Sequence, residues 1–159
     1  MKGRPSLLIA AILLLFLAGS LIYIAYSRSN TDNFPKGIQF QEIKKGSSNS
    51  IIEKQNIIIK SEEEWKKIFS NEPVPSGIDF NKEMIIVVFQ GQKSTGGYSI
   101  NVDKIIEQKD SINIYLTETS PGEGCIVTQA FTSPYQIVKI AKTGKPTNFN
   151  LQQQIHSCE

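Results

Sequence analysis

Six consecutive apolar residues, Met84-Ile85-Ile86-Val87-Val88-Phe89, stand near the middle of the chain. Side chains of a strand point alternately to its two faces, so a strand with one wet face reads as alternation. An unbroken apolar run needs cover on both faces, which places residues 84–89 centrally in a sheet. The rest of the fold has to supply a layer on each side of them.

The segments that follow are patterned as strands. Tyr98, Ile100 and Val102 alternate with Ser99, Asn101 and Asp103, and beyond a turn around Lys109-Asp110-Ser111 the residues Ile112, Ile114 and Leu116 alternate with Asn113, Tyr115 and Thr117. This predicts a hairpin with one buried face. Ile126 to Phe131 and Tyr135 to Ile140 read as a further strand pair, split at Thr132-Ser133-Pro134, where proline removes a ladder donor. Upstream, Ile38–Lys44 and Asn56–Lys60 have strand character on either side of a loop at Lys45–Ser50.

One helix interrupts the strands. Ser61-Glu62-Glu63-Glu64 is a capping box, in which Ser61 accepts from the third helical amide and Glu64 reaches back to the amide of the cap itself. Trp65, Ile68 and Phe69 share one face, with Glu62–Lys66 and Glu63–Lys67 pairs on the other. The spacing predicts a helix over Glu62–Ser70, stopped by Pro73 and Pro75, with Trp65 in the core. The expected class is α+β, a mostly antiparallel sheet with one short helix, arranged as an open sheet or a small sandwich or barrel.

Ahead of this domain, Leu7 to Tyr26 contains no charged residue, and Lys2 and Arg4 precede it. About 20 apolar residues cross a bilayer as a helix, more than the 7–15 of a cleavable signal core. The expectation is a retained signal anchor over 1–27, a linker over 28–36, an extracytoplasmic domain over 37–141 and a polar tail over 142–159. The basic residues before the span keep the N-terminus cytoplasmic, so the chain would be a single-pass protein of the cell membrane. A cleaved signal peptide is the alternative, since Ala25 and Ser27 offer small residues to a signal peptidase.

Lys2 and Arg4 also carry the whole net charge of +2: the 17 basic residues less these two leave 15, against 15 acidic ones. No net field remains to attract nucleic acid. The two cysteines, Cys125 and Cys158, fall in the segment expected outside the cytoplasm, where they can pair or remain as free thiols. A pairing would tie the tail to the loop after Pro121. With one histidine, His156, and no closely spaced cysteine pair, no zinc site is expected.

Familiar catalytic patterns fail on spacing. Gly91-Gln-Lys-Ser-Thr-Gly-Gly97 places its lysine before the second glycine, and a strand follows where a phosphate loop needs a helix. Lys142-Thr143-Gly144 has no accompanying serine with lysine three residues later, and a Gly-x-Ser-x-Gly elbow is absent. The expectation is therefore a protein without catalytic, metal or cofactor residues. Gly96 and Gly97 read as a turn on a sheet, in conformations closed to other residues, with Lys93, Ser94 and Thr95 available for contact at its tip.

The block Lys93-Ser94-Thr95-Gly96-Gly97-Tyr98, followed by Pro121, Gln129, Ala130, Thr132, Pro134 and Tyr135, resembles the C-terminal domain family of the protease complex subunit PrcB. The likeness covers roughly Ser61 to Ile140. It implies a non-catalytic accessory subunit with a protein partner, a subtilisin-like extracellular protease in the namesake. Lys93 to Tyr98 would then meet the partner, and the later residues would mainly fix the fold. Two other readings remain: a protease inhibitor presenting the Lys93–Thr95 loop, and a solute- or wall-binding domain with a pocket near Tyr98 and Tyr135.

Overall fold

A computed structural model describes Ser20 and residues 34–158. The expected anchor and most of its linker therefore lie outside the described residues. Among the described residues, no helix is long and apolar enough to cross a membrane.

From Phe34 the chain forms one compact unit. Its strands are β1 (Lys36–Ile38), β2 (Gln41–Gly46), β3 (Gln55–Ile59), β4 (Glu83–Phe89), β5 (Ser99–Glu107), β6 (Ile112–Pro121), β7 (Tyr135–Ala141) and β8 (Thr147–His156), with a helix, α1 (Glu62–Ile68), between β3 and β4. They make two four-stranded sheets, one in the order β1-β5-β6-β8 and the other β2-β7-β4-β3. Every pairing is antiparallel except β6 with β8.

The run at 84–89 is covered as its sequence demands. Met84, Ile86 and Val88 face the first sheet and pack with Ile100, Val102, Ile105, Ile112, Ile114 and Leu116. Ile85, Val87 and Phe89 face the other way, into a second cluster with Ile59, Trp65, Phe69, Tyr135 and Ile137. The domain is thus layered, with sheet on sheet and α1 with the segment after it on the outer face of the second sheet. All six side chains of the run are fully buried. At roughly 1.5–3 kcal/mol for each large aliphatic side chain removed from water, this strand is the main apolar contributor to the fold.

Ser61 caps α1 through its hydroxyl, which accepts from the Glu64 amide at 3.2 Å. The second half of the box differs from expectation: the Glu64 carboxylate accepts from the amide of Lys60 at 2.6 Å, one residue before the cap. Ser61 is in an extended conformation, and the preceding amide is the one within reach. The helix is short, with Phe69 as its C-cap. Trp65 stacks on Phe69 at 4.3 Å between ring centroids and donates its indole N–H to the Glu72 carbonyl at 3.0 Å.

Gln136 joins the two sheets through polar contacts. The register of β5 shifts between Val102 and Lys104, and beside that shift the buried Gln136 side-chain oxygen accepts from the Val102 amide at 2.6 Å. The Gln136 side-chain nitrogen donates to the Glu42 carboxylate of β2 at 2.5 Å. One side chain therefore links a backbone donor of the first sheet to a carboxylate of the second.

Two sequence expectations are corrected. Ile126–Phe131 is a loop with no strand pairing; Ile126 is fully exposed and Phe131 is 75% exposed, so neither has the buried face that a strand of the core would give it. The chain beyond Ala141 contains β8, a ten-residue strand whose outer side chains are polar because they face water.

Candidate functional site

The two segments that carry the sequence signature meet at one end of the domain. The Lys93 amide donates to the Thr132 carbonyl at 2.8 Å, and the Thr132 amide donates back to Lys93 at 3.0 Å, an isolated antiparallel bridge. Further along, the Gly96 amide donates to Thr128 at 2.8 Å, and the Thr132 hydroxyl donates to the Thr95 carbonyl at 2.7 Å. The two loops are zipped into one ribbon.

Glycine is required at position 97. Its φ of +85° lies in the left-handed region, and a Cβ there would stand 2.8 Å from Val127 Cγ1 and 3.0 Å from Pro121 Cβ. Gly96 takes no such conformation; the second left-handed glycine of this segment is Gly91, with φ +80°. Gly91 lies against the chain at Ile52 and Lys54, and the neighbouring Gln92 amide donates to the Ile52 carbonyl at 2.8 Å.

Other contacts fix the end of the ribbon to the sheets. The Gln90 amide donates to Pro134 at 2.9 Å, and the Ser133 amide donates to Ser47 at 2.8 Å. Asn49 donates through its side chain to the Ser133 carbonyl at 2.6 Å. A disulfide joins Cys125 to Cys158, and the Gly122 amide donates to the His156 carbonyl at 2.8 Å. Loop residues 122–125 are thereby tied to the end of β8.

The predicted contact residues are distributed unevenly. Ser94 and Gly97 are exposed, whereas Lys93, Thr95, Gly96 and Tyr98 are half-buried, and the Lys93 ammonium lies over the Tyr98 ring at 5.4 Å from its centroid. Among the later signature residues, Pro134 and Tyr135 are buried, and Pro121 and Thr132 are half-buried. Gln129 and Ala130 are exposed. Residues 129–131 therefore form surface and not scaffold, with Ile126 and Phe131 adding large apolar side chains.

A charged pair beneath this end was missed from the sequence. Glu118 follows Ile112, Ile114 and Leu116 on the inward face of β6, is 5% exposed, and receives the Lys54 ammonium at 2.7 and 2.9 Å on its two oxygens. Beside it, buried Gln90 donates to the Thr119 carbonyl at 3.3 Å. A carboxylate at an inward register position was the available signal, and Lys54 its required counter-charge.

Elsewhere, a groove of about 440 Å³ runs between β2 and the segment after α1, lined by Glu42, Lys44, Trp65, Glu72, Ile137 and Lys139 among others. Neither Tyr98 nor Tyr135 lines it. Tyr135 instead lies near Lys44, whose ammonium is held above its usual range first by hydrogen bonding to that phenol and then by Glu72. Among the described residues, no group of three or more His, Cys, Asp or Glu is gathered to hold a metal ion.

Two face-to-face sheets with hydrogen-bonded loops at one end define a small layered β domain with an elaborated surface. Residues 84–141 match the family model described as PrcB C-terminal. The match runs from β4 through β7 and includes both signature loops. No curated protein and no solved structure matches the chain.

Proposed function

We propose that this chain is a non-catalytic, membrane-anchored accessory subunit that binds a protein of an extracytoplasmic protease complex. The family match supports the association with such a complex. The uncharged run Leu7–Tyr26 behind Lys2 and Arg4 supports the anchor and the orientation.

The observation that carries the reading is the zipped loop pair. Its backbone groups are spent on holding its shape, through Lys93–Thr132 and Gly96–Thr128, while Ser94, Gln129, Ala130, Ile126 and Phe131 stay on the surface. A pre-shaped loop loses little entropy on binding, and exposed aromatic and aliphatic side chains beside polar ones are what a protein partner covers. Lys93, Ser94, Thr95, Gly96, Gly97 and Tyr98 form one margin of the contact, and 126–131 the other.

Crosslinking in native membranes followed by capture of the full chain tests this. Recovery of a stoichiometric companion with protease activity is expected; recovery of the chain alone contradicts it. An inhibitor presenting Lys93–Thr95 would instead suppress secreted serine proteases at near-stoichiometric amounts.

A further inference from the structure

The four open strand edges of the domain are not alike. β1 has three residues and β3 five, flanked by Lys54 and Lys60; β2 carries Glu42, Lys44 and Lys45 and is bulged. Short length, charge and bulges each blunt an edge against pairing with another chain. β8 has none of these. It is ten residues long, pairs with β6 in unbroken register, and no Asp, Glu, Lys or Arg occurs from Pro146 to Cys158. One of its edges meets β6 and, among the described residues, the other meets no strand.

The face it presents follows from that register. Phe149 stands beside Ile114, Leu116 beside Leu151, and Ser120 beside Ile155, so Phe149, Leu151 and Ile155 point to the inward side of the sheet. Phe149 packs on the core, but Leu151 is 44% and Ile155 71% exposed. An uncharged open edge thus carries two uncovered apolar side chains four residues apart.

We infer that β8 pairs antiparallel with β8 of a second copy of this chain, about a two-fold axis at Gln153. In this register Leu151 stands opposite the second copy's Ile155, and Ile155 opposite its Leu151. Gln153 meets its own counterpart, and Gln152 meets Gln154. Cross-strand apolar pairs of this kind stabilise an edge junction. A two-fold contact requires a patch complementary to itself, and apolar positions placed evenly about one residue supply that. Two identical charged edges would repel, and this one has no charge to do so; it equally has none with which to select an acidic or basic strand. The two copies join their β1-β5-β6-β8 sheets into one of eight strands. A junction made by one strand edge is below the roughly 1,000 Å² of a standard stable interface, so the dimer is weak and depends on concentration.

Gln153→Cys and Asn150→Cys, placed separately in the full chain in detergent and treated with a short bismaleimide, test the register. Residue 153 lies against itself, whereas residue 150 and its counterpart are offset by about 20 Å along the strands. The expected covalent dimer from Q153C exceeds that from N150C several-fold and falls to the N150C level when Leu151→Lys and Ile155→Lys are added. Equal yields from the two cysteines, or a Q153C dimer that survives both lysines, overturn the proposal. Sedimentation of the native chain keeps it testable if a cysteine variant misfolds. A dimer that grows with concentration and is lost with the two lysines is expected, and a native chain monomeric at every accessible concentration contradicts it.

Discussion

Lys93 and Thr132 exchange both of their backbone hydrogen bonds, at 2.8 and 3.0 Å, although two long strands lie between them in the chain. This bridge turns two loops that look independent in sequence into one structural unit. It also explains why the signature divides into a glycine-rich part and a proline-rich part. Each half supplies an edge for the other.

Replacing Gly97 by alanine is expected to break this unit. The residue combines φ +85° with a Cβ position 2.8 Å from Val127, so strain and collision add to a loss of about 1–3 kcal/mol. Gly124 has a similar φ of +80° and open space around it, so Gly124→Ala should cost less. Urea titration of both variants checks the order; equal midpoints would mean that the packing against Pro121 and Val127 contributes nothing.

Removing Lys54 should be costlier than its own exposure indicates, because its partner is buried. Lys54→Met leaves the Glu118 carboxylate in the sheet interface without its counter-charge, a loss of about 1–3 kcal/mol. Adding Glu118→Gln should recover part of it. A double variant no more stable than Lys54→Met would contradict the pairing.

Reduction of the Cys125–Cys158 bond should lower the melting temperature. The closed loop corresponds to roughly 3–4 kcal/mol in the chain-entropy model. Because the bond ties the 122–125 loop to the end of β8, amide exchange should rise first at residues 122–126 and 153–157. Unchanged melting with and without reductant would contradict the expectation.

Acid should weaken the domain partly through Glu83. The Lys139 ammonium, 2.9 Å away, and the Asp79 amide hold its carboxyl below the usual range. A depressed folded-state pKa contributes stability that is present above the unfolded value, near 4.5, and is lost as pH falls through the folded one. Glu83→Gln should therefore flatten the stability profile below about pH 5 and leave its shape at neutral pH unchanged. A profile identical to the native one would reject the contribution.

Much of the core was legible because local pattern and final environment agree. The continuous run at 84–89 announces a strand with two covered faces, and the alternation at 98–103 and 112–117 announces one wet face. Ile126–Phe131 misled for a physical reason: its β-forming residues follow a glycine turn and are tied down by Cys125, so the loop leaves the sheet and its apolar side chains stay exposed. β8 was hidden by Gln152-Gln153-Gln154, though Phe149, Leu151 and Ile155, at intervals of two and four residues, fall on one face of a strand. Polarity there reports solvent on both sides of an edge strand. The Lys93–Thr132 bridge had no local signal, since a single backbone pairing between distant loops leaves no trace in residue type.

The central claim is that the signature loops present the partner-binding surface of an accessory subunit, and paired capture experiments in native membranes test it most directly. The full chain and its Ile126→Asp/Phe131→Asp variant, matched for thermal stability, are crosslinked and recovered side by side. The native chain should bring down a stoichiometric protease companion that the variant loses. Equal recovery of that companion by both chains would contradict the claim.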